Sequence, residues 1–205
     1  MFLKERLIDM KNNAEKYFYQ KDFSILEIIL LIIAIVSLIV ATFVQGGGPI
    51  GLLVLLVCIV AFFICYSFKI KDNEIEQILK KIIHDNKVKY SESAIECYEL
   101  KNTVIKKRKD GKFISPTYFI TDITFSPHYT LFNIYIIDLI EQSVETVYRR
   151  VNCDEKITLT EETIKCHAGV IKMPHLAFEN GYVLPVALDD YRSSQLLQKI
   201  CDRHK

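Results

Sequence analysis

The strongest constraint on this chain is a run of 41 residues, Ile28–Phe68, that contains no Asp, Glu, Lys or Arg. One bilayer crossing needs about 20 consecutive apolar residues, so this run is long enough for two. It is interrupted at Gln45-Gly46-Gly47-Gly48-Pro49, where three glycines and a proline disfavour a continuous helix. The sequence therefore predicts a two-span transmembrane hairpin over residues 25–68, with spans at 28–44 and 50–68.

The distribution of basic residues predicts the orientation of this hairpin. Five basic residues precede the first span, none lies in the turn, and Lys69 and Lys71 directly follow the second span. Because Lys and Arg are enriched on the cytoplasmic side of membrane helices, both termini are expected to be cytoplasmic. The last 137 residues carry 21 basic and 20 acidic side chains, a balance that argues against DNA or RNA as a partner.

Cysteine usage agrees with a cytoplasmic placement. The four cysteines outside the apolar run would lie in a reducing compartment, where disulfides are not expected. Cys153, Cys166, His167 and His175 do not have the spacing of a zinc site, so no metal or cofactor is predicted.

Two helical segments are predicted beside the hairpin. Residues 1–24 are expected to be a cytoplasmic amphipathic segment, either an interfacial anchor or a contact between copies. Its apolar positions recur at helical spacing: Leu3, Leu7, Met10, Ala14 and Tyr17. Residues 69–87 are expected to be a linker, with a helix over 72–86 that begins at Asp72 and docks its apolar face on the next domain or the membrane.

From Val88 the pattern changes to strand-like alternation, and residues 88–205 are predicted to form a cytoplasmic domain of eight or nine antiparallel strands. Asp110-Gly111 and Asn180-Gly181 are typical hairpin turns. The three longest predicted strands are Thr117–Phe125, Tyr129–Ile140 and Ser143–Val151. Shorter ones are predicted at Ala94–Leu100, Lys106–Phe113 with its turn, Lys156–Thr160, Thr163–His167, Gly169–Met173, Leu176–Phe178 and Tyr182–Leu184.

A sheet of this size must hide its edges. The fold class predicted is therefore a small antiparallel β-barrel with a C-terminal helix, residues 190–203, that closes one side of it.

The sequence lacks the spacings that common catalytic motifs require. There is no Gly-x-Ser-x-Gly, no phosphate-binding glycine loop and no His-Glu-x-x-His, so an enzyme is not predicted. A membrane-bound enzyme is an alternative to the two resemblances described below, and its only candidate residues are His128, His167 and His175. The two predicted spans carry no ionisable group, which argues against a transporter.

Small residues at Ala34, Ser37 and Ala41 would permit close helix contact, either within the hairpin or between hairpins of different copies.

Six basic residues form the most polar concentration of the sequence, and five of them lie beside or in the Asp110-Gly111 turn. Three interpretations are open: a solvated hairpin tip, a surface attracted to anionic lipid, or a site for a phosphate-bearing ligand. The six are Lys101, Lys106, Lys107, Arg108, Lys109 and Lys112.

Arg149 and Arg150 are neighbours in a predicted strand, so one of them is expected to point inward or at a rim. Arg149 is the inward candidate, because Val147 and Val151 make its face the more apolar one. An inward arginine needs an anion: Asp122, Asp138 or a ligand phosphate. Tyr118, Tyr135 and Tyr148 lie in the three longest predicted strands and could stack on a base. The predicted ligand-binding residues are Arg149, Arg150, Tyr148, Tyr118, Tyr135, Lys106 and Arg108.

The order of a basic start, two spans joined by Gln45–Pro49, a linker helix and a β-barrel of roughly 100 residues resembles the two-transmembrane β-barrel effectors of bacterial cyclic-oligonucleotide-based anti-phage signalling (CBASS). The resemblance covers nearly the whole chain and rests on architecture and size. It implies a multi-pass protein of the bacterial inner membrane whose barrel binds a cyclic di- or oligonucleotide. Binding would induce a homo-oligomer, and the spans would then disrupt the membrane lipid.

A rival resemblance comes from the last third of the sequence. Asn180-Gly181, Tyr182–Leu188 and the terminal helix are similar to the last hairpin and capping helix of bacterial pleckstrin-homology-like domains. That resemblance implies an interaction or lipid-surface module without a nucleotide. A phosphate-lined pocket would favour the effector, and a solid aliphatic core would favour the interaction module.

Overall fold

The computed structural model describes residues 11, 13–20, 25–43, 48–166, 169–187 and 191–204. The chain divides into two compact units. The hairpin unit is Tyr19–Lys71, and the sheet unit combines Met1–Phe18 with Asp72–Lys205. The sheet unit is therefore built from two segments of chain that the hairpin unit separates in sequence.

The hairpin unit contains two helices, α2 (Ile25–Phe43) and α3 (Gly48–Ser67). Both are long and apolar enough to cross a membrane, as predicted. Helix α3 begins before the predicted span because Pro49 is tolerated in a first helical turn, where its missing N–H has no intrahelical partner to lose. The rest of the predicted turn, residues 45–47, lies outside the described residues.

The small residues of α2 are used inside the hairpin. Ser37 and Ala41 lie against Gly51 of α3, and the Ser37 hydroxyl donates to the Ile33 carbonyl at 2.7 Å. Of the two contacts left open by the sequence, the structure contains the one within the hairpin.

The first turn of α2 and the chain after α3 are joined by polar contacts. Lys69 Nζ lies 2.8 Å from the carboxylate of Glu27, which is buried. The Gln20 side chain donates to the Ile70 carbonyl at 2.9 Å and accepts from the Ile70 N–H at 3.2 Å. These bonds hold together the two ends of the hairpin unit.

In its described residues the sheet unit has three helices and nine strands. Helix α1 spans residues 13–19, and helix α4 and helix α5 are Asp72–Asp85 and Tyr191–Arg203. The strands are β1 (Ile95–Tyr98), β2 (Lys106–Lys107), β3 (Phe113–Ile114), β4 (Thr117–Phe125), β5 (Tyr129–Asp138), β6 (Ser143–Asn152), β7 (Ile157–Cys166), β8 (Gly169–Phe178) and β9 (Val183–Pro185).

The strands form three separate antiparallel sheets, β1-β4-β5-β6, β2-β3 and β7-β8-β9, and the predicted closed barrel is wrong. Closure is one way in which a sheet protects its open edges. Here they are short, as in β1 and β9, or carry charged side chains, as in β6 and β7, which are established ways of protecting an edge. β1 and β9 belong to different sheets, and the Cys97 thiol of β1 donates to the Pro185 carbonyl of β9 at 3.3 Å.

The two larger sheets share one apolar core. It contains Phe119, Phe132 and Ile134 of the four-stranded sheet together with Leu176 and Phe178 of the three-stranded sheet. Leu197 and Ile200 of α5 are fully buried in the same cluster. The terminal helix therefore seals the core, as expected, although it seals a pair of sheets and not a barrel.

Helices α1 and α4 also belong to the sheet unit. Ala14 and Tyr17 of α1 are buried, as are Ile75, Ile78, Leu79 and Ile82 of α4. Lys11 adds an ion pair with Glu141 at 2.6 Å. The apolar residues of α4 are buried, and α4 belongs to the sheet unit, as expected for docking on the domain. The interpretations of residues 1–24 as an interfacial anchor or as a contact between copies stay predictions from sequence. Leu3, Leu7 and Met10 lie outside the described residues.

Both predicted hairpin turns are confirmed. Gly111 and Gly181 adopt positive φ angles of 87° and 81°, between β2 and β3 and between β8 and β9. Four of the short predicted strands merge into the two ten-residue strands β7 and β8. Glu161-Glu162 and Pro174-His175 interrupt the apolar alternation in the sequence, yet they stay in register, with Glu161 opposite Pro174.

Candidate ligand-binding pocket

A half-open pocket of about 680 Å³ lies in the sheet unit, bounded by α4, the β2–β3 hairpin, β1 and β8. This volume is in the range that holds a small organic ligand. Its polar lining has both signs of charge: basic Arg108, Lys112 and Lys172, and acidic Glu76, Glu96 and Glu161. Three aromatic side chains, Tyr98, Phe113 and Tyr118, lie among them.

The aromatic wall is formed by two cross-strand tyrosines. Tyr98 of β1 is directly opposite Tyr118 of β4, and their rings pack edge to face with centroids 4.7 Å apart. The Tyr118 hydroxyl donates to the Glu96 carboxylate. Burial raises the pKa of Tyr98 to about 12, and burial and the Glu96 hydrogen bond raise that of Tyr118. Both hydroxyls therefore stay protonated at neutral pH.

Arg108 carries the positive charge at the α4 side of the pocket. Its Nη2 lies 2.5 Å from the Glu76 carboxylate and 3.5 Å from that of Asp110, and its Nε lies 4.0 Å from Asp72. Burial alone would lower the pKa of Arg108, but these three carboxylates raise it. The Nε atom itself is buried and has no hydrogen-bond partner among the described residues. A charged group of the pocket is thus held by helix α4.

Asp72 connects this corner to helix α1. Its carboxylate accepts a hydrogen bond from the Tyr17 hydroxyl at 2.7 Å and another from the Lys109 N–H at 3.1 Å. Burial would raise the pKa of Asp72, but these two bonds and the charge of Arg108 lower it below its usual value. The ionised carboxylate is therefore the stable form in the folded chain.

The other two cations of the pocket are lysines at its rim. Lys172 of β8 is exposed and pairs with Glu161 of β7 at 3.0 Å. Lys112 follows the Asp110-Gly111 turn, and its side chain has no ion pair among the described residues. Lys112 is thus the pocket cation that an anionic ligand can reach without breaking an ion pair.

Of the seven predicted ligand-binding residues, the pocket contains Arg108 and Tyr118. Lys106 belongs to the same hairpin but does not line the pocket. Its Nζ donates to the Tyr17 carbonyl at 2.9 Å and lies 4.1 Å from the centre of the Tyr17 ring. Two of the basic residues at the hairpin, Lys106 and Arg108, are therefore engaged with α1 and α4 and are not part of a solvated tip.

Arg149 occupies the face that the sequence predicts for it, beside Val151 of the core. Its partners are different from those expected. The guanidinium carbon lies 3.7 Å from the centre of the Tyr182 ring and 5.3 Å from that of Phe178, and Nη1 donates to Asn180 at 3.2 Å. Neither predicted carboxylate is involved, because two aromatic rings of the β8–β9 hairpin cover this cation.

The remaining candidates are also outside the pocket. Arg150 is exposed and lies 4.1 Å from the centre of the Tyr129 ring. Tyr148 is 70 % exposed. The Tyr135 hydroxyl donates to the Lys89 carbonyl at 2.8 Å. A ligand-binding role for these three residues and for Arg149 stays a prediction from sequence.

Sequence reasoning missed most of the polar lining. Lys112 was included in the basic cluster, but Tyr98, Glu76 and Glu96 were not singled out. The missing signal is the register that places Tyr98 against Tyr118, since these residues are 20 apart in a chain where β2 and β3 intervene. Helix α4 adds Glu76 to the pocket lining. In the sequence, the helical periodicity identifies Glu76 only as a polar position.

No group of three or more His, Cys, Asp or Glu side chains in the described residues could hold a metal ion. No protein-family profile, curated protein or solved structure matches the chain.

Proposed function

We propose that this chain is a membrane-anchored effector of an anti-phage defence system, in which the sheet unit binds a cyclic di- or oligonucleotide. Ligand binding brings copies together, and the apolar hairpins then disrupt the bacterial inner membrane. The ligand-binding part of this proposal is placed in the pocket beside Tyr98 and Tyr118.

The observation that carries the proposal is the pocket itself. A cyclic oligonucleotide combines bases with at least two phosphates, so it needs aromatic surfaces for stacking and cations for charge. Tyr98 and Tyr118 supply aromatic surface, and Lys112 and Arg108 supply cations within the same cavity. The cavity volume is sufficient for a ligand of this class.

The membrane part of the proposal rests on α2 and α3, which are long and apolar enough to cross a bilayer. The basic residues that flank the hairpin support a cytoplasmic position for both termini. Reporter fusions within the turn at Gly46 and after Lys205 test this orientation. A periplasmic signal from the C-terminal fusion would reject it.

The binding proposal is tested by calorimetric titration of the full chain in lipid nanodiscs with a panel of cyclic di- and trinucleotides. The informative variant is Lys112→Gln, which removes a pocket cation that makes no ion pair in the described structure. We expect it to weaken binding by roughly tenfold, equivalent to about 1.4 kcal/mol.

Lys107→Gln is the matched control, because it makes the same charge change in the same hairpin outside the pocket. We expect it to change the affinity by less than about twofold, as exposed charges contribute little. Equal effects of the two variants would place the ligand elsewhere on the domain. If no nucleotide of the panel binds, the effector proposal fails.

A second candidate function is a membrane-tethered pleckstrin-homology-like interaction module without a nucleotide ligand. The β8–β9 hairpin followed by α5 is present, and the two larger sheets enclose an apolar core. The terminal hairpin, the helix after it and the apolar core are features expected of that module, whereas the pocket beside the core favours the effector. Binding to anionic lipid vesicles, with no response to the nucleotide panel, would select the second candidate.

A further inference from the structure

One cluster of charged and polar side chains in the sheet unit contains both a pocket residue and the residues that border the hairpin unit in sequence. Arg108 lines the pocket and contacts Glu76 and Asp72 of α4. Asp72 in turn accepts the hydrogen bond from Tyr17 of α1. Phe18 and Asp72 are the sheet-unit residues at which the chain leaves for the hairpin unit and returns from it. The Tyr17–Asp72 bond therefore ties the outgoing chain to the returning chain.

We infer that Arg108 is a ligand-responsive latch: an anionic group bound in the pocket takes Arg108 from Glu76 and Asp72, and this loosens α1 and α4 where they lead into and out of the hairpin. This inference rests on the proposed function for its ligand and adds a mechanism for its response.

A ligand phosphate would compete with nearby carboxylates for the N–H donors of Arg108. Nη2 is shared between Glu76 and Asp110, so a phosphate that binds through this nitrogen must replace one of the two carboxylates. The Nε atom is buried without a hydrogen-bond partner in the described structure, and it lies 4.0 Å from Asp72. A bidentate phosphate through Nε and Nη2 would satisfy this nitrogen and form two charge-assisted hydrogen bonds.

Charge repulsion acts in the same direction. Glu76 lines the pocket, so a phosphate beside Arg108 would lie close to the Glu76 carboxylate. Like charges at short distance in a partly buried site repel each other. Glu76 belongs to α4, and its retreat from the phosphate would have to move that helix or break its contact with the hairpin β2–β3. Ligand binding is thus coupled to the position of α4.

The latch is tested first without ligand, by hydrogen exchange of the full chain in nanodiscs. Glu76→Gln and Arg108→Gln each remove one partner, and Lys107→Gln is the control in the same hairpin. We expect both latch variants to speed exchange of residues 72–85 on the order of tenfold and the control to leave it within about twofold. Wild-type exchange in Glu76→Gln would overturn the latch, whatever the pocket binds.

The second arm adds inorganic pyrophosphate or the tightest cyclic dinucleotide of the panel. We expect either probe to speed exchange of 13–19 and 72–85 in the wild type. Glu76→Gln should bind the probe about threefold more tightly, because the competing carboxylate is gone, whereas Arg108→Gln should bind it more weakly.

The outcomes separate the two proposals. If pyrophosphate binds and speeds exchange while no cyclic nucleotide binds, the proposed function fails and the latch stands. If the cyclic dinucleotide binds without changing exchange at 72–85, or binds more weakly to Glu76→Gln, the latch fails and the proposed function stands. If neither probe binds, both fail.

Discussion

A Cβ atom placed on Gly51 of α3 would lie 2.7 Å from the backbone carbonyl oxygen of Ser37 in α2, closer than a side-chain carbon can approach. The same position is 2.8 Å from the Ala41 Cβ. The two apolar helices therefore meet backbone to backbone at this point, an arrangement that small residues allow between membrane helices. Only glycine fits at residue 51 without a shift of one helix.

Gly51→Ala is expected to weaken the hairpin, because its methyl group would collide with backbone and not with a flexible side-chain end. Overpacking of this kind typically costs about 1–3 kcal/mol. Gly48→Ala is the control, since its nearest neighbour, the Ala41 carbonyl oxygen, is 3.7 Å away. Thermal unfolding of the full chain in detergent, followed by circular dichroism at the helical band, should separate the two variants. A Gly51→Ala protein as stable as Gly48→Ala would contradict the close approach.

Arg149→Ala is expected to reduce stability by about 1 kcal/mol, because the cation lies over Tyr182 and Phe178 at the junction of the two larger sheets. Arg150→Ala, the neighbour on the exposed face, should cost less. Unfolding can be followed in the full chain, with the five other cysteines replaced by serine, by the reaction of a fluorogenic dye with the buried Cys97 thiol. If Arg149→Ala lowers nucleotide affinity and leaves stability unchanged, the ligand-binding role predicted from sequence would be correct instead.

His204→Ala is expected to destabilise the sheet unit by about 1–3 kcal/mol, because a buried side chain with two hydrogen bonds is removed. His204 is fully buried, with Nε2 2.8 Å from the Thr130 hydroxyl and Nδ1 3.0 Å from the Glu155 carbonyl. The exposed His128 offers a control, and the same thiol-exposure assay applies. Equal stability of His204→Ala and His128→Ala would show that the C-terminal turn is not anchored in this way.

The link around Asp72 is expected to be lost in acid. The pKa of Asp72 is lowered in the folded chain, although burial opposes the shift, by the bonds from Tyr17 and Lys109 and by Arg108. Because the folded pKa lies below the unfolded one, the stabilisation is present above roughly pH 4 and is lost as the pH falls through the folded value. Asp72→Asn should therefore lower stability at neutral pH and show a weaker loss in acid than Asp85→Asn. Parallel acid profiles of these two variants would contradict the assignment.

A fragment of residues 72–205 is expected to be more stable than one of residues 88–205, the bounds that the sequence predicts for the β-rich domain. The shorter fragment loses Ile75, Ile78, Leu79 and Ile82, all buried. Each buried aliphatic side chain contributes about 1.5–3 kcal/mol, so the loss is a large part of the stability of a small domain. Soluble yield and thermal unfolding would be compared. A stable, monomeric 88–205 fragment would show that α4 is dispensable.

Sequence periodicity predicted most local elements because local rules govern them. The run Thr117–Phe125 is strand β4 without a change of boundary, and the glycines of both hairpin turns have the left-handed backbone that the turns require. The two apolar helices follow from hydrophobicity alone. Closure of the sheet was a global inference, and it failed because edge protection by short strands and charges leaves no periodic signal.

The pocket was not predictable for a related reason. It depends on which strands become neighbours and on the docking of α4, and both are contacts between residues far apart in sequence. Arg149 is an example. Strand alternation in the sequence predicts which face of the sheet it occupies, but its aromatic partner Tyr182 is 33 residues further along the chain. Charge complementarity predicts a carboxylate as the partner of Arg149, but the guanidinium lies over an aromatic ring.

The sheet unit is assembled from Met1–Phe18 and from Asp72–Lys205, with the hairpin unit between them. During synthesis the N-terminal segment therefore emerges long before the rest of this unit, to which the buried residues Ala14, Tyr17 and Phe18 belong. In the proposed orientation the hairpin must enter the bilayer first, and the domain can be completed only after the C-terminal half has been translated. Under the proposed function, membrane insertion would thus precede final folding of the sheet unit, and the pocket would be completed only in a chain that is already at the membrane.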